Sequence, residues 1–468
     1  MLIKEPLDFA KEFINSVNQC IETESPGKKM SRHQQWWLAF CITAVVLTNS
    51  VCWAQFERIS LGKLTLASIS WMFRRSKLRW EQLLTHSVRV VLETYGITQG
   101  VLVLDDSDRA RSKNTTNLHK VHKLKDKKTN GYVMGQNLVF LVLVTPKLTV
   151  PVGFAFYEPD PAKKAWKLED KRLKAEKVAK KDRPKEPDRD PLYPTKQELA
   201  LKLLKEFATN FNKVHVQCVL VDVLYSDKAF MDAASLVFGA GTQVISQLRS
   251  NQIICAQGHE KSVKRYFTSY PGMTKTISIR GGDMQAVIMG GARLWVKAHQ
   301  KKRYVIALRY DGEQEDRYIV ATNTTWRMTD IAEGYTIRWL VEVFFSDWKQ
   351  YEGWCQLAKQ PGVDGSNRGL ILSLLTDHAL LLHPEQKALL KHKLPACTVG
   401  SLREQIRFDA IIKFISQIID SEGLATQLSE CVEQIKKVVV LAPSGKHLNH
   451  RTLGRLAPTA SLKYRAAA

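Results

Sequence analysis

The chain has 468 residues, too many for one ordinary hydrophobic core, so we expect two to four domains. Its hydrophobic content is ordinary and its Gly and Pro contents are near average, as in a soluble globular protein. Lys and Arg outnumber Asp and Glu by 69 to 46, a net charge of +23. Such a field favours the binding of nucleic-acid phosphates over the two alternatives, a solvated basic surface or attraction to anionic lipid.

The first 97 residues are predicted to be helical and to form a domain that binds DNA ends. The N-terminus lacks the pattern of a signal peptide. The apolar run 36–54 is long enough for a membrane span, but Asn49 and Ser50 interrupt it, which favours a buried helix. The segment 71–84 combines four basic residues with two tryptophans, and it fits either a DNA-contacting helix or an amphipathic helix with a solvated face.

The eight cysteines are scattered along the chain. They form no CxxC pair and no Cys/His cluster with the spacing of a zinc site. Most lie in apolar runs, such as Cys218, and we interpret them as reduced residues of the core. This usage predicts a cytoplasmic protein.

Strand-like patterns begin after residue 97. Apolar runs at 100–106, 137–145, 148–158 and 214–222, with a helix at 196–211, predict an α/β core with a mixed sheet covered by helices over 98–251. The segment 158–195 is highly charged and is predicted to be an exposed helix or a flexible insert.

After residue 251, a strand-like pattern is followed by helix-like patterns. Residues 252–330 carry strand-like alternation and are interpreted as a β-rich domain inserted into the core. Residues 331–353 contain one long predicted helix that belongs to the core. Residues 354–468 are predicted to form a helical domain, with dimerisation or DNA binding as its possible role.

Acidic residues follow two of the predicted buried strands. Asp105 and Asp106 end one strand, and Asp222 ends another. A buried carboxylate loses hydration unless it is paired or binds a cation, and open α/β sheets place ligands at strand ends. One such residue would most often be a turn or helix-cap residue. Two in a strongly basic protein make a metal site an equally good interpretation.

The predicted helix near residue 340 carries four polar residues on one side. Tyr335, Arg338, Glu342 and Lys349 stand at offsets of 0, 3, 7 and 14, which puts them on one stripe about 60° wide at helical spacing. Apolar residues fill the positions around the stripe, so the helix is expected to be buried on most sides. The alternative interpretation is a buried ion pair between Arg338 and Glu342.

This spacing resembles the YREK signature of the DDE transposases of bacterial insertion sequences. The segment LDDSD, with Asp105 and Ser107, resembles the first motif of that family, and LVDVLYSDKAF resembles the second, with its Asp at 222. QLRS resembles the basic strand that follows, with Arg249 near DNA, and IVATNTTW also matches. The resemblance spans roughly residues 100–350. Two positions depart from it: Tyr318 stands where relatives often have Trp, and Ser346 where some have Lys.

The resemblance implies an RNase H-like core in which Asp105, Asp222 and Glu342 bind two metal ions about 3.5–4 Å apart. Oxygen ligands and phosphate chemistry favour Mg²⁺, with Mn²⁺ as a substitute. Asp105 is preferred to Asp106 because it shares a strand face with Val101 and Val103.

The same resemblance implies DNA as the partner, both as the terminal inverted repeats of an element and as its target, with a homodimer acting on the two ends. The expected DNA contacts are Tyr335, Arg338, Lys349, Arg249, Tyr318 and Trp339. Arg338 and Lys349 would hold phosphate beside the metals, and without DNA their charges would have no favourable partner.

Two other functions remain open from the sequence. The first is an RNase H-like nuclease, or a domesticated transposase, that cuts DNA without joining it. The second is a sequence-specific DNA-binding protein whose carboxylates have no catalytic role. For the preferred function, the expected location is the bacterial cytoplasm, in association with the nucleoid when DNA is bound.

Overall fold

A computed structural model describes residues 5–111, 114–125, 131–239, 241–279, 283–354, 360–392 and 396–419. Within these residues the chain forms one large mixed sheet with helices on both faces. The predicted α/β class is confirmed, and the architecture is consistent with an RNase H-like core. The predicted C-terminal domain lies outside the described residues from position 420 onwards.

The N-terminal region is helical, as predicted, and its described residues form five helices: α1 Asp8–Glu24, α2 Arg32–Thr48, α3 Trp53–Ile59, α4 Leu66–Arg75 and α5 Trp80–Thr94. The segment 71–84 is not one helix, because α4 ends at Arg75 and α5 begins at Trp80. Its two tryptophans differ in environment: Trp71 is exposed, whereas Trp80 is buried in the core.

Helix α2 lies in the core of this region. It begins with a capping box in which Ser31 and Gln34 satisfy each other's backbone N–H groups, and it ends at Asn49 in the left-handed conformation. The interpretation as a buried helix is confirmed as far as Thr48. Among the described residues no single helix is long and apolar enough to cross a bilayer; α2 and α3 meet that test only together, across a 92° bend.

Over the described ranges the sheet has twelve strands: β1 Gln99–Ala110, β2 His122–Lys125, β3 Tyr132–Val144, β4 Thr149–Tyr157, β5 His215–Val221, β6 Gln243–Leu248, β7 Ile253–Ala256, β8 His259–Ser262, β9 Met273–Ile279, β10 Asp283–Val296, β11 Lys301–Tyr310 and β12 Arg317–Ala321. Their order is β2-β3-β1-β5-β6-β12-β11-β10-β7-β8, with β4 paired to β3 and β9 paired to β10. The pairs β1–β5 and β5–β6 are parallel, and the other pairs are antiparallel.

The strands of the predicted insertion continue the sheet of the core. Strand β12 pairs with β6, so that Tyr318 lies opposite Leu248 and Ala321 opposite Ile245. The block 252–330 is therefore joined to the core by backbone hydrogen bonds and does not form a sheet of its own. The domain boundaries drawn from the sequence stay predictions.

In the part of the chain that the structure describes, nine further helices cover the sheet or follow it: α6 Pro161–Ala175, α7 Lys196–Asn210, α8 Lys228–Val237, α9 Val263–Ser269, α10 Met328–Thr336, α11 Trp339–Tyr351, α12 Gly362–Leu381, α13 Pro384–Lys391 and α14 Val399–Ile419. Helix α6 has no buried residue, so the charged segment contains an exposed helix. Strand β1 separates two cores: Val101 and Val103 pack with the N-terminal helices and α11, while Leu102 and Leu104 pack with α7 and α8.

The cysteines are less uniformly buried than predicted. Six are described, all as free thiols; two are buried, Cys41 and Cys218, and four are partly exposed, Cys20, Cys52, Cys255 and Cys397. Neighbouring apolar letters in the sequence do not guarantee burial, because a helix turns successive residues to different sides.

Candidate active site

Asp105 and Asp222 lie at the same level on two neighbouring parallel strands. The last pair of residues in the β1–β5 ladder is Leu104 with Val221, and the two aspartates follow immediately. Strand β1 does not end there, contrary to the prediction. It runs on to Ala110, paired only with the long antiparallel strand β3. Asp105 is thus a mid-strand residue placed where β5 stops.

Asp105 and its neighbour Asp106 face opposite sides of the sheet, as alternation along a strand requires. Asp105 Oδ2 lies 2.6 Å from Nη1 of Arg338, on the side of α11. Asp106 Oδ2 lies 2.7 Å from Nζ of Lys196, the first residue of α7, and accepts a hydrogen bond of 3.2 Å from Asn137. Only Asp105 is therefore on the side where the helix of Glu342 packs.

The helix predicted around Glu342 consists of two helices. Tyr335 is in α10 and Glu342 in α11, and the turn between them keeps right-handed helical backbone angles at Ile337 and Arg338. It is tightened to bonds between residues three apart, at 3.2 Å from Ile337 N to Gly334 O and 3.1 Å from Arg338 N to Tyr335 O. The residue types here suit either kind of turn, so the change leaves no signal in the sequence.

Helix α11 is buried on one face only, which corrects the expectation of burial on most sides. Its buried residues stand at helical spacing and pack in the core, namely Val341, Phe344, Phe345 and Trp348. Glu342 lies on the exposed side, where Trp339 and Val343 are 47% and 43% exposed. The carboxylate of Glu342 is thus open to solvent and to ligands, in contrast to the buried Asp105.

Burial dominates the electrostatics of Asp105. It raises the pKa of this carboxyl to about 7, against the opposing effect of the Arg338 guanidinium. The Glu342 charge adds to the rise in the pKa of Asp105, which places that charge within electrostatic reach. Burial would lower the pKa of Arg338, but Tyr335 and the carboxylates at 105, 222 and 342 raise it overall. The guanidinium of Arg338 therefore interacts electrostatically with all three acidic side chains.

These side chains fit a divalent cation by their chemistry. Carboxylate oxygens are the ligands that Mg²⁺ prefers, and a positive charge beside a buried carboxyl favours its ionised form. Arg338 supplies such a charge here. Among the described residues, the ligand atoms of Asp105, Asp222 and Glu342 are not gathered within 4.8 Å of one another. A cation would take the position that Arg338 holds beside Asp105.

The expectation that Arg338 lacks a favourable partner without DNA is wrong, because it forms an ion pair with Asp105. The alternative of a pair with Glu342 is also replaced by this contact. For Lys349, the ammonium lies 5.5 Å from the ring centre of Phe345. Burial raises the pKa of Tyr335 to about 12. Roles of these residues in DNA binding stay predictions.

Two other predicted DNA contacts have clear positions. Arg249 is exposed immediately after β6, and Trp339 is largely exposed at the start of α11. Tyr318 is different. It is only 5% exposed, and its ring lies 6.1 Å from that of Phe267 in the second core. The side chain faces inward on β12, so the predicted contact of Tyr318 with DNA has no exposed ring to support it in this arrangement.

Sequence reasoning missed Tyr225, which lies in the short turn after Asp222. Its side chain is fully buried, and its hydroxyl has no hydrogen-bond partner within the described part of the chain. Burial raises its pKa, and the charges of Asp105, Asp106 and Asp222 add to the rise. The one available signal was a tyrosine three residues after the aspartate of the second motif.

No curated protein matches the chain. Residues 66–265 match the model of a protein family described as DDE superfamily endonuclease. The matched stretch begins at α4, includes Asp105 and Asp222, and ends before Glu342. Endonucleases of this superfamily act on DNA and generally use divalent metal ions. Over this stretch, the chain is therefore similar to DDE-type transposases and endonucleases, and the α/β fold is consistent with that similarity.

Proposed function

We propose that this protein is a transposase of the YREK group. It binds the ends of an insertion sequence, cleaves the DNA and transfers the 3′-OH ends to target DNA. The observation that carries the proposal is the placement of Asp105 beside Asp222 at the end of the β1–β5 ladder, with Glu342 in electrostatic reach. Two carboxylates on neighbouring strands and a third on α11, in a chain of net charge +23, suit a reaction on DNA phosphates.

In this proposal, Asp105, Asp222 and Glu342 hold divalent cations, Mg²⁺ by preference and Mn²⁺ as a substitute. When bound, a pair of such ions supplies activation of the attacking oxygen and stabilisation of the leaving oxygen. Arg338 leaves Asp105 and binds a DNA phosphate, because a cation at Asp105 would repel the guanidinium. Tyr335 donates a hydrogen bond to the same DNA backbone.

DNA lies across the exposed side of α11 in this proposal. Lys349 and Arg249 bind phosphates, and Trp339 offers an exposed ring to the nucleic acid. Two copies of the chain hold the two terminal inverted repeats, and the same carboxylates then act on target DNA. The protein works on DNA in the bacterial cytoplasm.

A product assay with Mg²⁺ tests the proposal. The full chain is incubated with fragments that carry the two ends of the element encoding it and with a target plasmid, and the products are sized. We expect cleaved ends and joined products. Glu342→Gln should bind the ends but cleave less by about a hundredfold or more, since several kcal/mol of charge stabilisation are lost. Asp330→Asn, an exposed carboxylate on α10, is the matched control.

Each other outcome points to a different function. Cleavage without joined products would replace the transposase by a nuclease or a domesticated relative. DNA binding that is indifferent to Mg²⁺, with no cleavage by the unmodified chain, would replace it by a non-catalytic DNA-binding protein. Cleavage by Glu342→Gln within tenfold of the unmodified chain would overturn the assignment of the carboxylates.

A further inference from the structure

Three side chains with different ligand atoms meet between the first and fifth helices, away from the candidate active site. Cys20 and Glu24 are one turn apart near the end of α1, and His86 comes from α5. The Cys20 sulfur, a Glu24 carboxylate oxygen and a His86 ring nitrogen all lie within 4.8 Å of one another. No other group of three such residues in the described ranges meets that limit.

His86 is prepared to offer one nitrogen to a ligand. The residue is only 6% exposed, and its Nδ1 lies 2.6 Å from the backbone carbonyl oxygen of Gln82. A carbonyl oxygen can only accept, so Nδ1 carries the proton and donates. In the neutral ring, Nε2 then keeps a free lone pair. Histidines that bind metals have this arrangement, with the other ring N–H held by a carbonyl or carboxylate.

The Nε2 atom of His86 faces Glu24 in an arrangement that lacks a hydrogen bond. It lies 3.2 Å from Oε2 of Glu24, yet it has no hydrogen-bond partner within the described residues. A lone pair that faces a carboxylate oxygen is unfavourable unless a positive charge lies between them. In a tetrahedral site with bonds near 2.0–2.1 Å, nitrogen and oxygen ligands are about 3.3 Å apart. The observed spacing suits such a site.

We propose that Cys20, Glu24 and His86 bind one Zn²⁺ ion, with water as the fourth ligand. Sulfur, imidazole nitrogen and carboxylate oxygen are the three ligand types that Zn²⁺ takes in proteins, whereas Mg²⁺ disfavours the thiolate. The Glu24 side chain is 38% exposed, so the site is open to solvent at the end of α1. The thiolate and the carboxylate together balance the two charges of the ion.

The charged side chains around the site leave one carboxylate oxygen of Glu24 available to the ion. Arg89 pairs with Oε1 of Glu24, so Oε2 remains available on the side of His86. Burial raises the pKa of the Cys20 thiol, Glu93 raises it further, and Arg89 lowers it. The thiol releases its proton when the zinc–sulfur bond forms. The ion would tie the end of α1 to α5, the helix that leads into β1.

Zinc content and thermal stability test this site in the full chain. The protein is stripped with a chelator, loaded with ZnCl₂ and dialysed, and zinc per chain and melting temperature are measured. We expect one retained ion and a higher melting temperature. Cys20→Ala and His86→Ala should lose both, because removing a ligand costs more than the about 10- to 100-fold in affinity that outer-shell changes cost. Cys52→Ala and His33→Ala, a partly exposed thiol and an exposed imidazole of the same region, should retain both.

Two further measurements separate zinc binding at this site from a folding defect of the variants and from metal binding at the candidate active site. Co²⁺ in place of Zn²⁺ should give thiolate-to-cobalt absorption in the unmodified chain, a signal that needs no variant to fold. Glu342→Gln should retain its zinc, which separates this site from the candidate active site. Loss of all zinc on dialysis, absence of the cobalt–thiolate absorption, or equal zinc in Cys20→Ala would overturn the proposal and leave Glu24 as an ion-pair partner only.

Discussion

Helix α11 runs between two groups of acidic side chains that differ in access to solvent. Asp105, with Asp222 and Glu342, lies near its start, and Glu352 with Asp377 lies at its end. Burial raises the pKa of Asp105 to about 7, and it raises that of Asp377 to about 7 as well. A raised pKa therefore does not distinguish the two groups.

The surroundings of the two groups do distinguish them. Asp105 pairs with Arg338, and the solvent-exposed Glu342 follows Arg338 one turn later in α11. Glu352 and Asp377 are enclosed in the core, where the stacked rings of Trp348 and Trp354 lie 4.5 Å apart. A buried carboxyl with a cationic partner and an open side can bind an ion. Both carboxyls of the enclosed pair are buried among the described residues, and burial favours their protonated form.

The largest expected effect separates Asp105 from its neighbour. Asp105→Asn should reduce DNA cleavage by about a hundredfold or more, because it removes a proposed metal ligand. Asp106→Asn is the matched control. Asp106 faces α7, and the change removes the charge that pairs with Lys196 and accepts a hydrogen bond from Asn137, so cleavage should stay within tenfold. Rates of cleavage of one labelled fragment compare the two variants. The reverse order of activities would show that the wrong aspartate was chosen.

Removing the positively charged side chain of Arg338 beside Asp105 should have the next largest effect. Arg338→Ala leaves this buried carboxyl without its partner, at a cost of about 2 kcal/mol in the free energy of unfolding of the metal-free chain. The affinity for Mg²⁺ should rise, because the competing guanidinium is gone. Thermal melting and Mg²⁺ titration measure the two effects. Arg249→Ala removes an exposed charge and should change neither the stability nor the Mg²⁺ affinity. If Arg338→Ala and Arg249→Ala gave the same results, Arg338 would not compete with Mg²⁺ for Asp105.

The enclosed pair should make stability depend on pH. Burial raises the pKa of Glu352 well above its ordinary value, with Asp377 and Asp347 adding to the rise. Carboxyls with raised pKa values stabilise the fold in their protonated form. This contribution is complete below the unfolded-state values near 4 and is lost as pH rises, through about 7 for Asp377. We therefore expect the free energy of unfolding to fall over this range.

Glu352→Gln should flatten that dependence. The neutral amide removes one of the two titrating groups, so the variant gains on the order of 1 kcal/mol relative to the unmodified chain between pH 4 and pH 8. Glu12→Gln, an exposed residue of α1, should keep the original profile. Denaturant melts at several pH values measure the effect. A Glu352→Gln profile parallel to the original would mean that the pair does not titrate in this window.

The smallest expected effect concerns DNA at the far end of α11. Lys349→Ala should weaken binding to element ends and reduce the slope of log affinity against log salt by about one phosphate contact. Gln350→Ala, its exposed neighbour, should leave the slope unchanged. Salt-dependent affinity and melting temperature are measured on the same samples. An unchanged slope with a large drop in melting temperature would assign Lys349 a structural role.

The sequence was sufficient for features that depend on neighbouring residues. Alternation along β1 separated Asp105 from Asp106, because the direction of a strand side chain depends only on its position. The predicted strands and the five-helix N-terminal region follow from apolar periodicity in the same way. The tightened turn at Ile337 left no such signal, since its residues keep helical backbone angles and include no proline.

Contacts between distant parts of the chain lay beyond such patterns. Arg338 and Asp105 are 233 residues apart, and their ion pair depends on how α11 packs against the sheet. Tyr318 faces inward because β12 is covered by a second core, which its own sequence does not reveal. Cys20 and His86 lack the spacing of a zinc motif and meet only because α1 packs against α5.

The pairing of β6 with β12 constrains how the chain can fold during synthesis. Strand β6 leaves the ribosome before β7 to β11, and its outer edge finds its partner only when β12 has emerged. Until then, the backbone N–H and C=O groups of that edge can pair with another chain. The hairpin of β10 and β11 can form locally in the meantime. We therefore expect closure of the sheet to be a late and slow step, completed after Ala321 has been made.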